Sequence, residues 1–599
     1  MLRRNKWLVC VALLIVAAGF RISVAHWLPN DAPGDSRVYA QLARNMLERH
    51  VYSHEEQPPF DPSLIRLPGY PLFLAGVYSI FGHTNNGAVR IAQALIDAAT
   101  CGLIALLAFY WQPDEKKKRA SAIAALALAA ICPFTTIYAA TILTEVPTIF
   151  LVMAIFVAAT LAFRKTFATE DTEAVKNKSF KHSLIWWSVA GLLGGLLVLF
   201  RPDNGLFVAA IGVTLVVTVF RVPTSVGPLA RAKDPTRVGT RNTVRNWRRK
   251  FARVFTAGSF FSIVFVLVLT PWSIRNWRVF HLFQPLAPAH GEMPGEFVPR
   301  GYNLWVRTWL DDESYIQTFL WSLDSDPIDP DDVPQYAFDS AQEKDRVLAL
   351  LDKYNHPDGS QTASASPTPA QSQPNSTPAP SPSASLLNSS NSKATPSPIV
   401  QPQKNSNTNA NAEESSDEND NSGDESEEVD ESKPEQAGPV EMTPVIDAGF
   451  GQLARERIAR HPFRFYVWLP IKRARTMWFD THSQYWPFEG TLLPLEDLDY
   501  EGHQQYWLPL FAGLTALYTL LGLAGAWILW SSAEFSARRW LLLAGLAIVL
   551  RLVLFSSIEN PEPRYLVEFF PFLSILGGIA IAKLEARTSL SALRAKHVQ

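Results

Sequence analysis

Cysteine is scarce: the chain has three, Cys10, Cys101 and Cys132, and each falls inside an apolar run. That placement excludes a disulfide framework and a zinc cluster, and leaves plain thiols buried among apolar side chains. A charge imbalance is also missing. The formal net charge is -2, so the totals give no electrostatic signature of nucleic acid binding. Mean hydropathy lies near zero and hydrophobic residues make up 48%. These averages hide two opposites, long apolar runs without charge and one extreme polar block.

Absence of charge within the runs decides the class. Residues 120–144, 146–163, 183–200, 204–220, 254–274 and 504–533 contain no Asp, Glu, Lys or Arg. A helix needs roughly 20 residues to cross the hydrocarbon core, and only helices or closed barrels satisfy their backbone there. Residues 7–27, 88–111 (broken by Asp97), 540–558 (broken by Arg551) and 565–582 complete a set of about ten spans. The expected fold is therefore an all-α polytopic membrane protein. The first run, with Arg3, Arg4 and Lys6 before it and Ser23-Val24-Ala25 after it, has the make-up of a signal peptide. Its multi-span context predicts a retained anchor.

Lysine and arginine set the expected orientation. Under ten spans, Arg3-Arg4-Lys6, Lys116 to Arg119, Arg164 to Lys181, Arg221 to Arg253, Arg538-Arg539 and the basic tail share one side. That side is read as cytoplasmic, together with both termini, in a bacterial inner membrane. The run "RNWRRKFAR" reads as positive-inside anchoring rather than an RNA site.

Three segments follow. Residues 1–274 form an N-terminal transmembrane module with its first extracytoplasmic loop at 28–87. Residues 275–503 form a large extracytoplasmic loop. Residues 504–599 supply C-terminal spans and a cytoplasmic tail. Inside the large loop, 358–439 is rich in Ser, Thr, Pro and Asn and then strongly acidic ("EESSDENDNSGDESEE"), a composition expected to stay disordered. Its flanks, "GYNLWVRTWLDD" and "HPFRFYVWLPIKRARTMWFD", mix aromatics with arginines. The second reads either as an amphipathic helix on the membrane, Trp and Phe inward and Lys472, Arg473 and Arg475 toward headgroups, or as a cap on other loops.

Six charged corners are expected on the face opposite the basic loops. They are Gly34-Asp35, Arg66 with "LPGYPLF", Thr144-Glu145-Val146-Pro147, Arg201-Pro202-Asp203, "PWSIRNW" with Arg275, and "ENPEPRY" with Arg564. Each has a plain alternative. Asp35, Ser36 or Thr144 would cap helices, and arginines at span ends snorkel to lipid phosphates. Asp97 in mid-span is either functional or a buried polar contact with Gln93 or a neighbouring helix.

Taken in order, Gly34-Asp35 with Tyr39 and Ala40, "LPGYPLF", "TEVP", "FRPDN", "TPWSIRNWRVF" and "PEPRYLVEFFPFL" resemble the GT-C membrane glycosyltransferases. Within that group the chain looks most like bacterial relatives of protein O-mannosyltransferases and lipid A aminoarabinose transferases. The resemblance spans nearly all the chain outside the polar insert, which departs from the family's usual loop. It implies a sugar donor on a polyprenyl phosphate, used at the extracytoplasmic face with inversion, for a protein, glycolipid or polymer acceptor. It also implies that Asp35 is the catalytic base, and that Glu145 either shares a divalent metal with it or positions the acceptor.

Chemistry supports the same assignment. A polyprenyl phosphate leaves as a stable anion and needs cationic support more than a proton. Arginine forks suit phosphate oxygens, which makes Arg564, Arg275 and Arg201 candidates for the donor phosphate. Tyr39, Arg66, Tyr70 and Tyr565 are the substrate-positioning candidates. Two other classes compete: a transporter or flippase of lipid-linked sugars, which would draw on Asp97, and an anchor displaying the acidic segment. No internal repeat favours the transporter.

Overall fold

A computed structural model describes residues 2–30, 34–82, 84–167, 173–220, 239–288, 292–357, 440–479 and 504–596. The polar insert 358–439 and the basic connection 221–238 lie outside the described residues. Among those described there is no β-sheet, and one isolated bridge joins Asn30 to Thr141.

Seventeen helices follow in order. They are α1 (Leu2–Trp27), α2 (Asp35–Glu48), α3 (Gly69–Phe81), α4 (Asn86–Trp111), α5 (Lys118–Ala130), α6 (Pro133–Thr136), α7 (Glu145–Thr166) and α8 (Glu173–Phe200). Next come α9 (Gly205–Phe220), α10 (Gly239–Phe280), α11 (Arg300–Arg307), α12 (Ala341–Asn355), α13 (Pro444–Arg460) and α14 (Leu469–Phe479). The chain closes with α15 (Gln504–Ser531), α16 (Phe535–Ser556) and α17 (Phe570–Lys596).

Nine of the ten apolar runs are essentially helical throughout; the run 120–144 is helical as far as Ala139, broken at 131–132, and irregular from 140 to 144. Among the described residues eight helices are long and apolar enough to cross a membrane, or nine if the bent pair α5–α6 counts as one span; α9 is shorter. The protein is thus an all-α polytopic membrane protein. Helix α7, apolar around its whole circumference, is buried on every side. Helices α10 and α15 instead turn Phe255, Ile263 and Leu267, and Leu520, Leu523 and Trp527, outward, as lipid-facing helices do. The C-terminal helices belong to the same bundle as the N-terminal ones: α17 packs on α5 and α4, and α16 packs on α9.

The second corner, between α5 and α7, is irregular and buried, so its carbonyls need partners. Side chains supply them. Arg21 donates to Ala129 and Ala130 O at 3.0 Å each, Arg90 to Ala140 O at 2.9 Å, and Gln93 to Thr141 O at 2.8 Å. Asp97 neutralises Arg21 across a 2.5 Å ion pair buried between α1 and α4. The mid-span carboxylate is therefore a contact to a neighbouring helix, and α1 is tied into the bundle through it.

The flanks of the polar insert fold together. Tyr302, Trp305 and Trp309 interlock with Phe319 and with Phe450 of α13 in a separate aromatic core. Ser340 and Thr443 cap α12 and α13 by accepting from Glu343 and Ile446 N–H. Of the two readings of α14, the contacts of Arg473 and Lys472 fit the cap on other loops. Arg473 does not reach toward headgroups; it is buried and donates to Leu310 O (2.7 Å) and Arg307 O (2.6 Å). Lys472 pairs with Asp311 at 2.9 Å. Carbonyls left open by the end of α11 draw Arg473 inward and the Asp311 carboxylate draws Lys472, while Phe463, Tyr466, Trp468 and Ile471 are exposed.

Candidate active site

Five of the six charged corners line one cavity of about 1400 Å³ at a single end of the bundle. The ends of α2, α7 and α8 and the 558–565 turn line it, together with Ala287, Pro288, residues of 292–324 and α11.

Gly34 delivers Asp35 to this space. Its φ of 82° and ψ of -80° lie in a region costly for any residue with a Cβ, so the sharp entry into α2 calls for glycine. Asp35 is the first residue of α2, yet neither its carboxylate nor any other side chain caps the helix. Ser36 instead donates to Ile142 O at 2.9 Å, pinning α2 against the second corner. Both oxygens of Asp35 face arginine: Arg66 Nη2 donates to Oδ1 at 2.9 Å and Arg564 Nη1 to Oδ2 at 3.3 Å. Burial would raise this carboxyl group, but Arg564 and Arg66 together outweigh it and hold Asp35 below the ordinary aspartate range.

Glu562 is the hub of the last corner. Its Oε1 accepts from Tyr565 OH (2.6 Å), Asn560 Nδ2 (2.7 Å) and Arg564 Nη2 (3.1 Å), and its Oε2 pairs with Arg564 Nε. Arg564 is thus shared between a buried carboxylate behind it and Asp35 in front.

A second chain of alternating charge runs beside the first. Arg201 donates to Glu145 Oε1 at 2.9 Å and to Asp203 Oδ1 at 3.2 Å. Arg551, fully buried, donates to Asp203 Oδ2 at 2.6 Å and lies 3.1 Å from Glu568 Oε1. Tyr565 joins the two chains, its ring 5.4 Å from the Arg201 guanidinium and 5.5 Å from that of Arg564. Thr144 makes no cap either; Glu145, at the start of α7, spends its charge on Arg201.

The remaining candidates separate. Tyr39 lines the cavity under Arg66, 6.0 Å from ring centroid to guanidinium carbon. Burial, and after it the charge of Asp35, pushes its phenol up to about 12, so it stays protonated at neutral pH. Tyr70 lies outside the cavity lining. It is fully buried and donates to Gln93 Oε1 at 2.8 Å, tying α3 to α4. Gly69 beside it lets α3 abut α8, where a Cβ would lie 2.6 Å from Leu199 O. Arg275 also lies outside: it donates to Ser63 O (2.8 Å) and Tyr52 O (3.4 Å) and stacks near Trp272, bracing the first loop.

Sequence reasoning gave no role to Glu562, Asp203 and Arg551, although the first two occur in quoted corners. Arg551 carried a signal, an arginine interrupting an apolar run, and its buried partners explain it. Asp35 faces Arg66 and Arg564 with its two oxygens, whereas Glu145 gives Oε1 to Arg201 and turns Oε2 to the Thr144 hydroxyl at 3.5 Å. Among the described residues no group of three or more His, Cys, Asp or Glu is arranged to hold a metal.

Fold and site together define an integral, polytopic α-helical membrane protein with a cavity at one end whose mixed lining includes ion-paired carboxylates and arginines. No protein-family model matches the chain. No curated protein matches it either. Among solved structures, it is similar to the archaeal oligosaccharyltransferase AglB from Archaeoglobus fulgidus in complex with an inhibitory peptide and a dolichol-phosphate. Identity is 12% and the TM-score 0.43, over 98% of this chain and 52% of that one. The chain thus spans about half the length of that relative. It is also similar to ArnT from Cupriavidus metallidurans in the apo state, at 13% identity and a TM-score of 0.32 over 97% of this chain and 78% of that one. ArnT bound to undecaprenyl phosphate gives 12%, 0.33, 96% and 78% for the same quantities.

Proposed function

We propose that the protein is an inverting glycosyltransferase that moves a sugar from a polyprenyl phosphate to an acceptor hydroxyl at the extracytoplasmic membrane face. The observation that carries this reading is Asp35, held between Arg66 and Arg564 on the wall of a cavity large enough for a sugar and its acceptor. The ordered motifs that resemble GT-C enzymes agree with it, as does the opening of the cavity at one end of the spans.

Arg564 binds the donor phosphate, with Arg201 beside it across Tyr565 and Arg66 as a further cation. The acceptor oxygen attacks the anomeric carbon. The bond from that carbon to the phosphate oxygen breaks, its electron pair stays on the phosphate, and the hydroxyl proton passes to the Asp35 carboxylate. The products are the inverted glycoside and a polyprenyl phosphate. Electrostatic support of the leaving anion supplies the largest share of catalysis, and the base typically adds about 10²–10⁴-fold.

A carboxylate between two guanidinium groups is a weak base. Donor binding relieves this: the phosphate draws Arg564 away from Asp35 and adds negative charge nearby, and both changes raise the basicity of Asp35. Glu562 keeps Arg564 in place while its outer nitrogens change partner. Buried Arg551 and Asp203 hold Arg201 from behind. The transporter alternative loses its best residue, because Asp97 is occupied by Arg21.

The test uses full-length protein in nanodiscs, supplied with lipid extract containing polyprenyl-phosphate sugars. Release of polyprenyl phosphate is followed by mass spectrometry and the anomeric linkage of the product by NMR. Release with inversion is expected; retained configuration, or no release from any fraction, would overturn the reading.

A further inference from the structure

Arg66, Arg201 and Arg564 in the cavity lining are all matched by carboxylates, but the two arginines of α11 are not. Helix α11 presents Arg300, Asn303, Leu304 and Arg307 to the cavity, a stripe at i, i+3, i+4 and i+7. Its other face, Tyr302, Trp305 and Val306, is sunk in the aromatic core. The helix is fixed at both ends. Tyr302 N–H donates to Asp447 Oδ1 at 2.8 Å, and Arg473 holds Arg307 O at 2.6 Å. Among the described residues no carboxylate lies within ion-pair reach of Arg300 or Arg307. Glu296, on the segment leading in, accepts from Met293 N–H instead. Arg307 has its guanidinium carbon 5.4 Å from the Phe465 ring, which orients the fork without neutralising it.

We infer that this face of α11 is the acceptor subsite and that it selects acceptors bearing anionic groups, phosphate above all. The inference rests on the transferase reading, with the donor phosphate at Arg564. Two unpaired guanidinium groups on a rigid helix are pre-organised for bidentate anion contacts. Seven residues of helix separate their backbones by roughly 10 Å. An acceptor with two phosphates at a similar spacing, or with repeating anions, engages both at once, and one with a single anion engages one. Asn303 lies between them and offers a donor and an acceptor to the acceptor's neutral hydroxyl groups.

Full-length protein in zwitterionic phosphatidylcholine nanodiscs is titrated calorimetrically with inorganic tripolyphosphate and, separately, with polyprenyl phosphate. The R300Q/R307Q variant should bind tripolyphosphate at least tenfold more weakly than wild type, while its affinity for polyprenyl phosphate stays within twofold. R300K/R307K, which keeps the charge, should hold tripolyphosphate within threefold of wild type. R300Q alone alters one exposed side chain and so tests the site without touching the core; it should cost at least threefold. Unchanged tripolyphosphate binding in the glutamine variants would overturn the inference. So would an equal loss of polyprenyl phosphate binding, which would assign these arginines to the donor. A wild-type protein that binds tripolyphosphate through α11 but no polyprenyl phosphate would overturn the transferase reading and leave an anion site of another use.

Discussion

Asp35→Asn separates a catalytic carboxylate from a structural one by the sign of its effect on donor binding. In the resting protein Asp35 competes with any phosphate for Arg66 and Arg564, at 2.9 and 3.3 Å. Its side chain is 26% exposed, so these pairs are partly screened and their combined worth is modest, about 1 kcal/mol. Replacing the carboxylate by an amide of the same shape removes that competition. The affinity for polyprenyl phosphate should then rise by about fivefold, the equivalent of that free energy. Loss of the base should meanwhile lower the single-turnover rate by about 10²–10⁴-fold. The change in folding stability should stay near 1 kcal/mol, since Arg564 keeps Glu562 as a partner. Calorimetric titration of the donor lipid, rapid-quench single turnover and thermal unfolding, all on nanodisc protein, read the three quantities. A variant that turns over at the wild-type rate, or that binds the lipid more weakly than wild type, would refute the reasoning.

Acidity offers a second handle. Arg564 and Arg66 hold the folded-state pKa of Asp35 below its unfolded value of about 3.9. Its contribution to stability is therefore present above that value and lost as pH falls through the lower folded one. In kinetics the acid limb of kcat/KM, which reports the free enzyme, should lie below about pH 3.9, and that of kcat, which reports the donor complex, should lie higher; a pH-rate series giving the reverse order would contradict the exchange of Arg564. Glu562→Gln loosens Arg564, Tyr565 and Asn560 together; the donor KM should rise at least tenfold with a smaller change in kcat, and a change confined to kcat would count against a positioning role. Asp97→Asn leaves Arg21 buried without its counter-charge and should cost about 3–5 kcal/mol of stability, seen as a lowered unfolding temperature, with turnover by the folded fraction close to wild type.

Membrane spans were legible because hydrocarbon forbids charge and demands long helices; of the uncharged runs only 120–144 is broken, at 131–132, and ends irregularly. The charges inside runs, Asp97 and Arg551 among them, needed three dimensions, since Arg21 and Asp203, which pair with them, lie on other helices or corners far along the chain. Gathering of the corners followed from alternation of the spans, which brings 34–39, 65–67, 143–145, 200–203 and 558–565 to one end. Finer positions did not follow. Arg275 and Tyr70 occur in motifs as suggestive as those of Arg564 and Tyr565, but a turn of helix points them at the first loop and at Gln93. For α14 both readings, membrane helix and cap on other loops, stayed open in the sequence because an amphipathic pattern does not tell a helix whether its partner is lipid or another loop. In this case Leu310 and Arg307 carbonyls outbid headgroups for Arg473.

The central claim, transfer from a polyprenyl-phosphate sugar, is tested most directly by the lipid profile of cells lacking the protein. A polyprenyl-phosphate sugar should accumulate with its head group facing outward, and should disappear when wild-type protein is restored but persist when Asp35→Asn is supplied. An unchanged profile, or clearance of the lipid by Asp35→Asn, would contradict the account.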